Sequence, residues 1–288
     1  MLIQKPDTLC YFVLGTSPDT VLHIVDNIED YYDEFKKFKK DKFGNKRLNK
    51  PKYRKEFGLY YYRCINPPKP ELKTIQKKLN SYLVKYIDFP DYAYGGVKGR
   101  DNILNACVHK GQKYVFQTDL KDFFPSITNR MVYNTFVLNG FSPDVAALMT
   151  KLTTYEGHLP QGSPTSTTIA NLVFAKTGEQ IKQITEQNQL RFTTFVDDIT
   201  ISSQFDFKHL VPDIIKIVTD AGFKISQGKT TYKSGITEIT GVRLPNNSLT
   251  TTLKFKSEIA KETNKTGLRY QGMKNYSDRI HKLSSKER

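Results

Sequence analysis

Cysteine is scarce and scattered: Cys10, Cys64 and Cys107 are all there is in 288 residues. No CxxC pair occurs, so a disulfide framework or a cysteine zinc site is not expected, and a reducing cytoplasm fits. No apolar run approaches the roughly 20 residues that a membrane helix needs. The N-terminus lacks a charged stretch followed by an apolar core and a small-residue cleavage site, so secretion is not expected. Internal repeats and low-complexity tracts are absent. Acids are few against bases: 29 Asp and Glu face 44 Lys and Arg, a formal net charge of +15. Charge that far from neutral predicts a polyanionic partner, nucleic acid before membrane.

What is there can fold. Hydrophobic residues make up 38% of the chain and aromatics 12%, with 17 Tyr and 18 Phe. The length fits one large domain or two to three packed subdomains. Ser17-Pro18-Asp19 reads as a helix start, and Val21, Ile24, Val25, Ile28, Tyr32 and Phe35 follow at helical spacing. Residues 36–55 turn basic: Lys36, Lys37, Lys39, Lys40, Lys42, Lys46, Arg47, Lys50, Lys52, Arg54 and Lys55 face one acid, Asp41. Phe38, Phe43 and Tyr53 are interleaved, a composition suited to phosphate contact and base stacking, or to a solvated basic loop. A strand over Tyr60 to Ile65 and an amphipathic helix through Leu72, Ile75, Leu79, Leu83 and Tyr86 come next. Gly95 to Gly99, with Lys98 and Arg100, reads as a flexible loop or a weak phosphate contact.

From Lys113 the pattern becomes denser. A β run over residues 113–118 ends in Asp119. Helices are expected over 128–139, from Ser142-Pro143-Asp144, and over about 166–186. The stretch from Arg191 to Ser202 puts β-rich runs on both sides of Asp197-Asp198, a hairpin with acids at its tip. Adjacent like charges there suit a divalent cation held by oxygen ligands, although Asp is also a common turn residue. A helix over about 208–221, a strand from Phe223, and a hairpin of 236–244 with 248–253 about Pro245-Asn246-Asn247 follow. Residues 254–288 read as basic helix. The order from Lys113 is that of a split βαββαβ unit on one antiparallel sheet. In such a sheet Asp119 and Asp197-Asp198 meet at one edge. Three converging carboxylates can hold two Mg²⁺ ions for nucleotidyl transfer.

Five ordered segments carry a resemblance. Asp119-Leu120-Lys121-Asp122-Phe123-Phe124, Leu159-Pro160-Gln161-Gly162-Ser163-Pro164, Phe195-Val196-Asp197-Asp198, Gly222-Phe223-Lys224-Ile225 with Lys229, and Ile239-Thr240-Gly241 resemble the ordered motifs of reverse transcriptases. Asn105-Ala106-Cys107-Val108-His109 resembles the NAxxH pattern of the retron group, and Ile239-Thr240-Gly241 its VTG. The resemblance implies an α+β right-hand polymerase with a ferredoxin-like antiparallel palm sheet, helical fingers and a small helical thumb. It implies fingers over residues 1–90, palm over 91–245 with about 130–165 belonging to the fingers, and thumb over 246–288. It implies Asp119, Asp197 and Asp198 as ligands of two Mg²⁺ ions and as catalytic residues together with Lys229. Arg63, Phe124, Gln161 and Gly162 are implied nucleotide contacts, with Phe124 beneath the sugar. Lys36, Lys37, Lys39, Lys40, Asn105, His109 and Arg269 are expected to meet RNA. The implied partners are a noncoding RNA template and primer, its DNA product, dNTPs and a defence effector protein, with no membrane. Phe195 departs from the Tyr that many relatives carry and lacks its hydroxyl. A non-retron defence enzyme, a group II intron relative and a catalytically inactive RNA-binding scaffold are the alternatives.

Overall fold

The computed structural model describes residues 2–40, 44–49 and 59–285. Its chain forms two units, one from Met1–Asp88 with Phe124–Val173, the other from Phe89–Phe123 with Phe174–Arg288.

In the first unit, Ser17 caps the helix Pro18–Asp26, its Oγ accepting from the Thr20 amide at 3.3 Å. The helix buries Val21, Ile24 and Val25. It is shorter than its apolar spacing predicts. The Asn27 side chain donates to the His23 carbonyl at 2.8 Å, and a 3-10 turn over Ile28–Tyr31 follows. Phe35 therefore opens strand β1, Phe35–Phe38, which pairs antiparallel with β2, Tyr62–Ile65. A π-helical turn over Leu9–Leu14 has no counterpart in the expected elements. The helix Pro70–Tyr86 buries Leu72, Ile75, Leu79 and Leu83, as its periodicity requires. Its Gln76 is fully buried: the amide donates to Tyr32 and to the Leu152 carbonyl, both at 2.8 Å, and accepts from Ser163 Oγ at 2.7 Å. That network pins the Leu159–Pro164 turn to the helix. Helices Asn129–Leu138 and Pro143–Thr153 lie where the cap signals put them.

The second unit is built on a four-stranded antiparallel sheet. Strand β3 is Tyr114–Asp119, β4 Arg191–Phe195, β5 Asp198–Ser203 and β6 Thr231–Ser234, in the order β4-β5-β3-β6. The first strand in sequence is central, the ferredoxin-like order expected of a split βαββαβ unit. One expected strand is displaced. Phe223 does not open it. Leu120 and Ile225 form a single bridge, a 3-10 turn covers Gln227–Lys229, and β6 begins only at Thr231. The helix before it, Val211–Asp220, ends at Gly222 as expected. The hairpin after β6 also differs. Residues 236–244 fold on themselves, β7 (Thr237–Ile239) against β8 (Val242–Leu244), and β9 (Thr250–Thr251) adds to β8. Thr240 and Gly241 turn the chain with positive φ at both, 45° and 83°. That suits a two-residue hairpin loop, but Thr-Gly is a weaker turn signal than Asn-Gly. Two helices, Leu253–Lys261 and Leu268–Ser284, close the unit. Ile280 of the last one is fully buried with Ile103, Ala106, Val115, Ile239, Val242, Leu244 and Leu249.

Candidate active site

Asp119 ends β3 and pairs in register with Asp198, the first residue of β5. Phe195 of β4 pairs with Asp198 from the other side, so Val196-Asp197 form a two-residue loop. Leu120 donates to the Asp197 carbonyl at 2.9 Å, tying the loop to the end of β3. Val196 has φ 59°, a strained value for a β-branched residue of the kind that collects at functional sites. The loop is held from behind. Tyr94 donates to Thr194 and Thr194 to Tyr92, each at 2.8 Å, along the free edge of β4. Gly95 then lies so close that a Cβ there would stand 2.6 Å from the Val196 nitrogen and 2.9 Å from the Phe195 carbonyl carbon. The Arg100 guanidinium clamps this segment through the carbonyls of Pro90 and Ala93. Gly95 is thus a close-approach glycine, which a loop signal in sequence does not reveal.

The carboxylates crowd one another. Asp119 is 6% exposed. Burial, then the charges of Asp197 and Asp198's strand partner Asp119, push the Asp198 carboxyl up to about 6, and Lys229 pulls partly the other way. Lys229 reaches the site because β6 starts late; its ammonium ion-pairs with Asp119 Oδ1. Asp119, Asp198, Gln117, Thr200, Lys229 and Thr240 border a cavity of about 310 Å³. Among the described residues no three His, Cys, Asp or Glu side chains stand together as a ready-made metal cage. The donor chemistry nevertheless fits a hard divalent cation, since the carboxylates are oxygen donors and Asp198 carries charge at an energetic cost that a cation would relieve.

The other expected site residues divide. Arg63 is exposed on β2, where it pairs with Lys37. Gln161 accepts from the Asn66 amide at 2.7 Å, and Gly162 (φ 113°) sits where a Cβ would crowd Ile65 at 3.1 Å. Phe124 is half-buried, while Phe123 is 3% exposed and packs its ring near Phe174 and Phe223. Arg63, Phe124, Gln161 and Gly162 belong to the first unit. Lys36 and Lys39 lie over the rings of Tyr62 and Tyr61, at 4.8 and 4.6 Å; Lys37 and Lys40 are exposed. Asp41, Lys42, Phe43, Lys50, Lys52, Tyr53, Arg54 and Lys55 lie outside the described residues. Arg269 is exposed and ion-pairs with Glu262 at 3.3 Å.

Asn105 and His109 are buried, 1% and 0% exposed. Asn105 donates to Thr240 Oγ1 at 3.2 Å, while its own Oδ1 is buried without a partner. Both His109 nitrogens meet protein hydroxyls, Ser202 Oγ at 2.6 Å and Thr193 Oγ1 at 2.8 Å. A direct RNA contact is not what these positions offer, because a fully buried ring presents no edge to a ligand. Sequence reasoning placed Gly95 and Arg100 in a loop without their part in holding the Asp197 turn, and it missed Gln76. No helix among the described residues is long and apolar enough to cross a membrane.

A family model described as reverse transcriptase (RNA-dependent DNA polymerase) matches residues 49–274. Retron Se72 reverse transcriptase of Salmonella heidelberg (strain 579083-10) is 37% identical over 177 residues, covering 59% of this chain and 47% of that protein. Retron Ec86 reverse transcriptase of Escherichia coli is 30% identical over 171 residues, covering 58% and 53%. The chain spans about half the length of these curated relatives. A structure of the foamy viral protease-reverse transcriptase in complex with double-stranded DNA aligns with TM-score 0.47 and 18% identity, over 90% of this chain and 40% of that one.

Proposed function

This chain belongs to the reverse transcriptase (RNA-dependent DNA polymerase) family, and from that premise we propose that it copies RNA into DNA from dNTPs as a retron-type enzyme. The observation that carries the reading is the in-register pairing of Asp119 with Asp198 beside the Asp197 turn. Asp119, Asp197 and Asp198 would hold two Mg²⁺ ions, which when bound activate the attacking hydroxyl and stabilise the leaving pyrophosphate. Lys229 brings positive charge to that pyrophosphate. Arg63, Phe124, Gln161 and Gly162 contact the incoming nucleotide, with the Phe124 ring excluding a ribose hydroxyl. Lys36, Lys37, Lys39, Lys40 and Arg269 hold RNA phosphates. Fingers, palm and thumb occupy residues 1–90, 91–245 and 246–288, with about 130–165 serving the fingers.

The similarity to curated retron enzymes supports the narrower part of the reading. The template and primer are one structured noncoding RNA, the product is DNA branched from it, and the enzyme works beside an effector protein in antiphage defence. The test is to purify the chain from cells, sequence its bound RNA, map any DNA branch and assay dNTP incorporation. One specific RNA carrying branched DNA is expected. Unbranched copying of unrelated RNAs would point to another defence enzyme or an intron relative. RNA binding without incorporation would leave a scaffold.

A further inference from the structure

The hairpin that carries Asp197 and Asp198 works against itself. Its tip holds a strained valine and its acids repel. Something must set where it stands, and the sheet face shows what does. Side chains alternate along a strand. The register therefore puts Asp198, Thr200 and Ser202 of β5 on one face with Asp119 and Gln117 of β3 and with Thr193 of β4. His109 lies under that same face, behind the carboxylates. Its ring spans the two strands diagonally, with Nδ1 on Ser202 Oγ at 2.6 Å and Nε2 on Thr193 Oγ1 at 2.8 Å. All three residues are essentially sealed from solvent, at 0%, 0% and 1% exposure.

We propose that His109 is a positioning residue for the catalytic hairpin: its buried imidazole locks Thr193 of β4 to Ser202 of β5 and so sets where Asp197 and Asp198 stand. The ring sits at the end of the helix Asn102–Val108. That helix is itself anchored at both ends. Arg191 of β4 donates to the carbonyls of Val108 and Lys110 at 2.7 and 3.0 Å. Asn102 donates to the Thr240 carbonyl at 2.9 Å and to the Tyr276 hydroxyl at 2.7 Å. Lys110 reaches the Ser284 carbonyl at 2.6 Å. The helix is thus a strut between the last helix of the chain and the hairpin, and His109 is its bearing point on the hairpin. A hydroxyl–imidazole–hydroxyl bridge has direction and length, which an apolar contact of similar volume lacks.

The proposal rests on the polymerase reading, and its test separates the two. Thr193→Val with Ser202→Ala removes both hydroxyls and keeps the ring buried. Primer extension by the full chain on an RNA template should show kcat reduced about 10-fold, as supporting groups around metal ligands typically cost. The dNTP KM should stay within about 2-fold, because the change moves ligands rather than nucleotide contacts. Mn²⁺ binding to the nucleotide-free protein, read by electron paramagnetic resonance, should weaken by a similar factor of about 10. Thr193→Ser, which keeps the hydroxyl, should retain wild-type values. Unchanged kcat and Mn²⁺ affinity in the double variant would overturn the proposal. So would loss of RNA affinity alone, or a Thr193→Ser variant as impaired as Thr193→Val. A wild-type chain that binds Mn²⁺ but incorporates nothing would sink the polymerase reading, while the Mn²⁺ comparison would still judge the brace.

Discussion

Asp198 holds a charge in a place that resists one. Its carboxyl is pushed up to about 6 by burial and by two neighbouring acids. A raised native pKa means the folded chain binds this proton more tightly than the unfolded chain, so stability falls as pH rises from about 4 to about 6. Asp198→Asn removes that penalty. In metal-free buffer its melting temperature should gain on wild type across this window and hold the gain above it, and added Mg²⁺ should narrow the gap. A gap independent of pH would mean the carboxylate carries no such cost. The same variant, like Asp197→Asn, should nearly abolish incorporation and spare RNA binding; near-normal synthesis would remove the metal assignment. Gly95→Ala acts through backbone, since the added carbon would meet Val196 and Phe195 at 2.6–2.9 Å and neither can step aside. A loss of about 1–3 kcal/mol in chemical denaturation is expected, as for other overpacked sites, with incorporation reduced alongside. Phe123 and Phe124 separate by burial: Phe123→Ala should cost about 3–5 kcal/mol. Phe124→Ala should raise rNTP use relative to dNTP use in primer extension. A preference shift from Phe123→Ala alone would reverse the two assignments.

At the scale of elements, the last helix is more than a basic appendage. Ile280 is part of the apolar cluster beneath β7, β8 and the helix Asn102–Val108. Removing residues 254–288 would open that cluster, so truncation reports on folding before it reports on processivity. A milder change is more informative. Gly272 lies inside the helix Leu268–Ser284 with open space around it. Gly272→Ala should stabilise the protein by roughly 0.5–1 kcal/mol, from lower unfolded-chain entropy and better helix propensity. A loss instead would show that this face is covered when the chain works, by nucleic acid or another contact. Charge on the β1–β2 ribbon is tested separately. Replacing Lys36, Lys37, Lys39 and Lys40 together should flatten the dependence of RNA affinity on salt, because each phosphate contact releases counterions. An unchanged slope would leave the ribbon a solvated surface.

For the whole molecule, a net charge of +15 predicts steep weakening of RNA binding with salt for the wild-type chain, measurable by filter binding over a salt series. That charge is a property of composition and needs no coordinates. So are the helix starts at Ser17, Thr128 and Ser142, because capping is local chemistry between a side chain and the amides just after it. The antiparallel four-stranded sheet was also legible, since the order of elements from Lys113 is that of a split βαββαβ unit. What lay beyond the sequence depends on distant partners. Phe35 kept helical spacing but became a strand because Ile65 paired with it. The strand expected from Phe223 began at Thr231, and that delay is what brings Lys229 to Asp119. Asn105 and His109 were visible as a motif, yet a motif does not say whether its polar atoms face a ligand or the interior. Sequence by itself determined the family, the carboxylates and the excess of positive charge, because these are carried by residue identity. Only the tertiary structure decided that Gly95 touches the Val196-Asp197 turn and that His109 bridges two strands behind it. Those roles arise where segments some 80 to 100 residues apart come together, and local propensity holds no record of such meetings.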